Sequence, residues 1–338
     1  MKTYSSSKLT LLSLLLVGAA LGTHTSAQEA ETLRPLAVDD YFAIQSVGSP
    51  IVSPDGAWVV YTVSTKDLEN DRTESRLWSV PTAGGEARPI TAKGWGVGSP
   101  SWTPDGQYLA FTARSDDQGS QLFRLDLRGG GERVQITNVE GGIGGYKWSP
   151  DGKRLLLSIR DKNTDDPSGP WVIDRLVFKQ DYVGYLNHQR THLYVHDLEA
   201  KTTIQITDGD YDDYGATWSP DGSRIAFVSN RTAEPDASSN TDIWLVDPDT
   251  PYDQQEPVRV TTNPGTDDSP IWHPDGERIG YLMTYTDRTD IPASYLQSKV
   301  AIIRIGEDEP VLLTTEALDR KAWDPTFSPD GSQIYVQL

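Results

Sequence analysis

Three histidines, His188, His192 and His196, stand four residues apart in a 338-residue chain that contains no cysteine. On a helix that spacing would gather imidazoles on one face and suggest a metal. The run Thr191 to His196 alternates as a strand instead, and four residues of strand span about 13 Å, too far for two ligands of one ion. Asp208, Asp210, Asp212 and Asp213 put four acids in six positions and form a weak calcium candidate. The loop lacks the distal glutamate of an EF-hand, and acidic turns of this kind also serve plain turn chemistry. Gly94-Trp95-Gly96-Val97-Gly98 leads into a strand rather than a helix, so it is no phosphate cradle. No cofactor is implied. A third group lies between Asp161 and Thr191, where Trp171, Tyr182 and Tyr185 sit among Arg175, Lys179 and Arg190. Such residues suit a loop that takes up peptide side chains and a carboxylate. They equally suit an insertion that merely packs on its neighbour.

The elements that would position these groups come from a repeat. Pro-Asp-Gly recurs at Pro54, Pro104, Pro150, Pro220, Pro274 and Pro329, at intervals of 50, 46, 70, 54 and 55 residues. Proline pre-sets φ for a type I turn, Asp caps its own backbone, and Gly accepts the positive φ that closes a bulged hairpin. Trp102, Trp148, Trp218, Trp272 and Phe327 precede five of these turns, with Val52 before the first. A short alternating run follows each turn, as in Arg154 to Ser158 or Arg224 to Val228. A third strand comes next (Arg76 to Val80, Gln121 to Asp126, His192 to Asp197, Asp242 to Asp247, Lys299 to Ile305). A fourth ends on an apolar-Thr pair: Ile90-Thr91, Ile136-Thr137, Ile206-Thr207, Val260-Thr261 and Leu313-Thr314. Four strands per period of about 50 residues predict an all-β propeller with five complete blades and a truncated sixth, over 49–338. The 70-residue interval marks an insertion at 161–191, between the second and third strands of blade three. It is expected to project from the propeller.

Met1 to Ala27 reads as a signal peptide. Lys2 and Lys8 precede an apolar run, Leu9 to Leu21, too short to span a bilayer, and Thr25-Ser26-Ala27 offers small residues for cleavage. The product is then expected in the periplasm or outside the cell, free of the membrane once the signal is cleaved. Residues 28–48 form a lead-in, in which Val38 to Ile44 has the spacing of one or two helical turns. The net charge of −19 argues against nucleic acid or anionic lipid as partner.

Pro35-Leu36-Ala37-Val38-Asp39-Asp40, followed by Ser49 to Val63, resembles the opening of secreted serine peptidases of the prolyl oligopeptidase family. The similar branch is that of the acylaminoacyl-peptidases and bacterial dipeptidyl aminopeptidases. Arg76-Leu77-Trp78-Ser79-Val80-Pro81 and the Gly84-Gly85 turn continue the likeness, and an insertion ending in Arg190 to Val195 is similar to one in that branch. The branch that holds a substrate amine with paired glutamates is disfavoured, because no Glu occurs between Gly141 and Asp197. The resemblance implies a catalytic α/β-hydrolase domain after the propeller. Its Gly-x-Ser-x-Gly elbow occurs nowhere in these 338 residues. The chain is therefore expected to be a non-catalytic propeller that gates oligopeptide access to such a domain. The alternative is a TolB-like propeller that binds a partner protein. A sugar-fragment lyase would need axial His and Gln metal ligands, which are not identified.

Overall fold

Five of the six turns are built alike, with His273 in place of the hydroxyl in the other, in a computed structural model that describes residues 34–115, 118–127, 132–163, 169, 172–181, 184–284, 297–314 and 320–338. In the first, Gly56 N–H donates to Ser53 O (2.8 Å) and Gly56 sits at φ 69°. Ser53 Oγ donates to Asp55 Oδ1 (2.5 Å) and accepts from Trp58 N–H (2.9 Å), while Asp55 Oδ1 also accepts from Ala57 N–H (3.1 Å). The hydroxyl before the proline is thus as much a part of the turn as Pro-Asp-Gly. Thr103, Ser149, Ser219 and Ser328 repeat the pattern. The hydroxyl of Ser219 and the neighbouring N–H groups bring Asp221 down to about 2. Its carboxylate is held ionised as an acceptor.

Each turn joins the first and second strands of a blade. Blade one is β1 (Ser46–Val52), β2 (Trp58–Asp67), β3 (Arg72–Pro81) and β4 (Arg88–Pro89); blade two is β5 (Gly98–Trp102), β6 (Leu109–Ser115), β7 (Gly119–Leu125) and β8 (Val134–Gln135). Blade three opens with β9 (Gly145–Trp148) and β10 (Arg154–Arg160). A short hairpin, β11 (Lys179–Gln180) with β12 (Gly184–Tyr185), intervenes before β13 (Thr191–Asp197) and β14 (Thr202–Gln205) complete it. Blade four is β15 (Asp213–Trp218), β16 (Ile225–Ser229), β17 (Asp242–Val246) and β18 (Val258–Arg259). Blade five is β19 (Asp267–Trp272), β20 (Arg278–Met283), β21 (Lys299–Arg304) and β22 (Val311–Leu312), and β23 (Trp323–Phe327) pairs with β24 (Ile334–Gln337) beyond it. Every pairing is antiparallel, and among the described residues there are five four-stranded sheets, as the repeat predicts. The stretch Met1 to Ala27 lies outside the described residues. A six-residue helix, α1 (Val38–Ala43), precedes the sheets.

Two details depart from the strand-by-strand reading. The fourth strands stop one residue short of the apolar-Thr pairs. There the apolar residue makes a last backbone bond, Ile206 N–H to Leu193 O (2.9 Å), and the threonine takes over: Leu193 N–H donates to Thr207 Oγ1 (2.9 Å). The same side-chain bond closes every blade, from Thr91, Thr137, Thr261 and Thr314. A buried N–H that would otherwise lack an acceptor explains why threonine stands there. The first strands are also bulged in blades one, two, four and five, with Ser49, Ser99 and Ser269 at φ near 50° and Gly215 at 62°.

The apolar core lies between blades, not within them. Leu156, Leu193 and Val195 of blade three pack with Trp218, Ile225 and Phe227 of blade four. Ala226, Ile243 and Leu245 of blade four meet Trp272, Ile279 and Tyr281 of blade five. The turns stack in step. A Cβ on Gly106 would come within 3.0 Å of Pro54 Cγ, and one on Gly152 within 3.3 Å of Pro104 Cγ. Indole N–H groups tie the first strands of blades four and five to the one before: Trp218 Nε1 donates to Lys147 O (3.3 Å) and Trp272 Nε1 to Thr217 O (3.2 Å).

Candidate functional site

The insertion leaves blade three where β10 passes to β13, at the end of the strands opposite the Pro-Asp-Gly turns. Two other connections share that end: the acidic link 207–212 into blade four, and the loop 230–241 between β16 and β17. The strand directions bring all three together, and ion pairs join them. Arg175 lays its fork on Asp236, Nε to Oδ2 at 3.0 Å and Nη2 to Oδ1 at 2.7 Å, and gives Nη1 to Asp210 Oδ1 at 2.7 Å. Val177 N–H adds a contact to Asp236 Oδ2 (3.4 Å). With its guanidinium largely buried, Arg175 holds the Asp236 carboxyl below the usual range.

Arg190 shares Asp210 through Nε (2.9 Å) and lies 3.9 Å from Asp212 through Nη1; its Nη2 is buried without a hydrogen-bond partner. Asp212 Oδ1 accepts from Thr191 N–H (2.9 Å). Asp213 is fully buried between Arg231 Nη2 (2.9 Å) and His192 Nδ1 (3.2 Å). Burial opposes a charge on His192. The Asp213 hydrogen bond and the carboxylates of Asp161 and Asp208, each 3.7 Å from the ring, outweigh it and raise the imidazole above its ordinary value.

The four acids of 208–213 therefore face cations of the protein itself, and among the described residues no group of three or more His, Asp or Glu is placed to hold a metal ion. Each carboxylate balances an arginine or histidine that anchors the insertion or the start of β15. His188 pairs with Asp174 at 3.1 Å, away from His192, and His196 bonds Thr203 Oγ1 (2.9 Å).

Of the six aromatic and basic candidates, Arg175, Tyr185 and Arg190 line one cleft, Lys179 Nζ lies 5.9 Å from the centre of the Tyr185 ring, and Trp171 and Tyr182 lie outside the described residues. A cleft of about 940 Å³ runs between the insertion and blade four, lined by Val172, Ile173, Phe178, Leu186, Arg190 and Asp236 among others. Phe178 stacks on Tyr185 with ring centres 6.4 Å apart, and the exposed Ile173, Leu176 and Val177 extend the apolar surface. Chemically the cleft offers apolar contact with two largely buried guanidinium groups, of Arg175 and Arg190, at its edge. Sequence reasoning gave no role to Asp236, 61 residues from Arg175, or to Arg231 of the same loop.

No protein-family model matches the chain. It is 29% identical over 135 residues to dipeptidyl-peptidase 5 of Trichophyton schoenleinii, a match that covers 38% of this chain and 17% of that protein. Among solved structures it is similar to the acylaminoacyl peptidase of Pyrococcus horikoshii, with a TM-score of 0.65 and 17% identity over 88% of this chain and 43% of that one. It is also similar to the β-propeller domain of the trilobed protease of Pyrococcus furiosus, with a TM-score of 0.55 and 15% identity over 86% of this chain and 77% of that domain. The chain thus has a propeller fold like those found in peptidases, and its matches span less than half the length of the dipeptidyl-peptidase and acylaminoacyl peptidase relatives.

Proposed function

We propose that this chain is the propeller portion of an exported serine peptidase acting on oligopeptides, and that the insertion of blade three borders the path of the peptide. The observation that supports it best is a double likeness. The sequence match is to a dipeptidyl-peptidase, and the fold match, over most of the chain, is to an acylaminoacyl peptidase. The 338 residues hold no Gly-x-Ser-x-Gly elbow, so the propeller is assigned no bond-breaking step of its own. Its contribution is steric. A nucleophile covered by a ring of blades is reached only by short, flexible chains. The cleft beside Phe178, Tyr185 and Leu186 provides apolar contact for their side chains. Acidity of the whole chain fits a peptide substrate rather than nucleic acid.

The test uses the full gene product beside the 338-residue chain. The longer protein is expected to react with a serine-directed fluorophosphonate and to cleave short acylated or free-amine peptides; the 338-residue chain should do neither. Removing 162–189 from the longer protein should change KM for peptides more than it changes labelling. A gene product without a reactive serine that instead retains a partner protein would replace this reading by the TolB-like one.

A further inference from the structure

The repeated turns supply an internal standard for how adjacent blades are sealed. Where blade three meets blade four, Arg154 lies over the Trp218 ring (4.9 Å to its centre). It donates Nη2 to Gly222 O (2.9 Å) and Nη1 to Asp249 Oδ1 (2.6 Å). Where blade four meets blade five, Arg224 lies over Trp272 at 5.3 Å and donates Nη2 to Gly276 O (2.8 Å). Under these clamps the two indoles are buried, 7% and 9% exposed.

The clamp arginine always stands two places after the turn glycine. In blade two that place is taken by Tyr108. Among the described residues no guanidinium covers the Trp148 ring, and no donor reaches Gly152 O. Trp148 is correspondingly only half-buried, and a cleft of about 690 Å³ opens at this junction, lined by Tyr108, Trp148, Gly152 and Asp105. The acid of the clamp is present as well. Leu193 and Ile243 hold equivalent places, since each donates its N–H to the threonine that closes its blade. Six residues on from Ile243 stands Asp249; six on from Leu193 stands Glu199, exposed to solvent. Glu199 and Asp249 hold equivalent turns, each donating its N–H to the aspartate two residues back, and Leu198 and Lys201 on either side of Glu199 line the cleft.

We propose that the cleft between blades two and three binds a guanidinium side chain, seated on Trp148 as Arg154 is seated on Trp218 and shared between the Gly152 carbonyl and the Glu199 carboxylate. Arg124, stacked on Tyr108 at 4.5 Å, and the exposed Lys201 also line the cleft. Asp105 and Asp151 line the cleft as well and suit a guanidinium, while Arg124 and Lys201 suit a carboxylate behind it. That combination describes free arginine or an arginine at the C-terminus of a peptide. His196 lines the same cleft and adds no charge, because burial lowers its pKa. The site is at the turn end of the blades, away from the insertion, and does not depend on the peptidase reading.

Titration calorimetry, with tryptophan fluorescence as a second signal, tests it. The probes are L-arginine, its neutral isostere citrulline, and Ala-Ala-Arg with a free carboxylate. Arginine or the tripeptide should bind at least ten-fold tighter than citrulline, and whichever of the two is tighter identifies the source. Tyr108→Arg supplies the missing clamp from within and should abolish binding. Glu199→Gln, at an exposed position that folding does not need, should weaken it several-fold. Equal binding of arginine and citrulline, no binding of either arginine compound, or unchanged affinity in Glu199→Gln would overturn the proposal.

Discussion

Replacing Arg154 by alanine removes one complete inter-blade clamp and leaves every strand intact. Three contacts go: the Trp218 face, the Gly222 carbonyl and Asp249. A partly desolvated cation–π contact is worth about 1 kcal/mol, and a hydrogen bond from a charged donor to a half-buried carbonyl adds about 1–1.5 kcal/mol. The Asp249 pair adds little, because that carboxylate is 74% exposed and screened. The expected loss is about 2–3 kcal/mol, a drop in Tm of roughly 4–8 °C for a unit of this size. Urea and thermal unfolding followed by circular dichroism measure it, and the emission of the uncovered indole should shift to the red before unfolding. Arg154→Lys keeps the charge near Asp249 but loses the planar fork and the stack, so it should recover less than half of the loss. If alanine melts within a degree of the wild type, or lysine is as good as arginine, the clamp is not what seals the blades. The guanidinium site between blades two and three would then lose its template.

Thr207→Val should cost about 1–3 kcal/mol, because the buried Leu193 N–H is left without an acceptor, whereas Thr207→Ser should cost less; urea denaturation separates the two. Asp267 is fully buried, with Oδ2 unpartnered and its pKa pushed up by burial to about 8, beside Asp242 and Arg259. The folded protein then binds the proton that the unfolded chain releases near pH 4, so this group's stabilisation is present at low pH and is lost as pH rises through about 8. Asp267→Asn should flatten the fall of Tm between about pH 4 and 8, and a slope equal to the wild type's would show that Asp267 is ionised in the fold. In a double-mutant cycle of Arg175→Ala and Asp236→Ala, a coupling of about 1–3 kcal/mol is expected from the bidentate pair. Hydrogen exchange should show faster opening of 172–190 while blade amides stay protected, and additive effects would mean that the insertion is held by something else.

Much of the architecture could be read from residue types because each repeat carries its own punctuation. Pro-Asp-Gly marks where β1 becomes β2 and β15 becomes β16, and the 70-residue interval places the insertion between β10 and β13. What escaped were bonds whose partners are far apart or disguised. The role of Ser53, or of Ser219, depends on its hydroxyl reaching both Asp and the residue five places on, and serine is common in any turn. Ser49-Pro50 and Ser269-Pro270 form bulges within a strand, which nothing in the residue pattern announced. The acids of 208–213 look like a cation loop in isolation; only the fold brings Arg175, Arg190, His192 and Arg231 to them. That Tyr108 stands where Arg154 and Arg224 stand was not read from the sequence, because its meaning required seeing what those two arginines do.

The tryptophan ties have a direction. Trp218 and Trp272 each donate backwards, to a carbonyl of the blade already made, and Trp148 does so through the Ser101 hydroxyl. A blade emerging from the ribosome therefore meets its acceptor and half of its apolar core already in place. Each new interface is a contact between nearest neighbours, so stability accrues link by link and the chain can consolidate from its N-terminal side while the rest is still being synthesised. The arginine clamps reach the other way, from Arg154 and Arg224 to the blade that follows, so those two junctions are latched only after their later member has arrived.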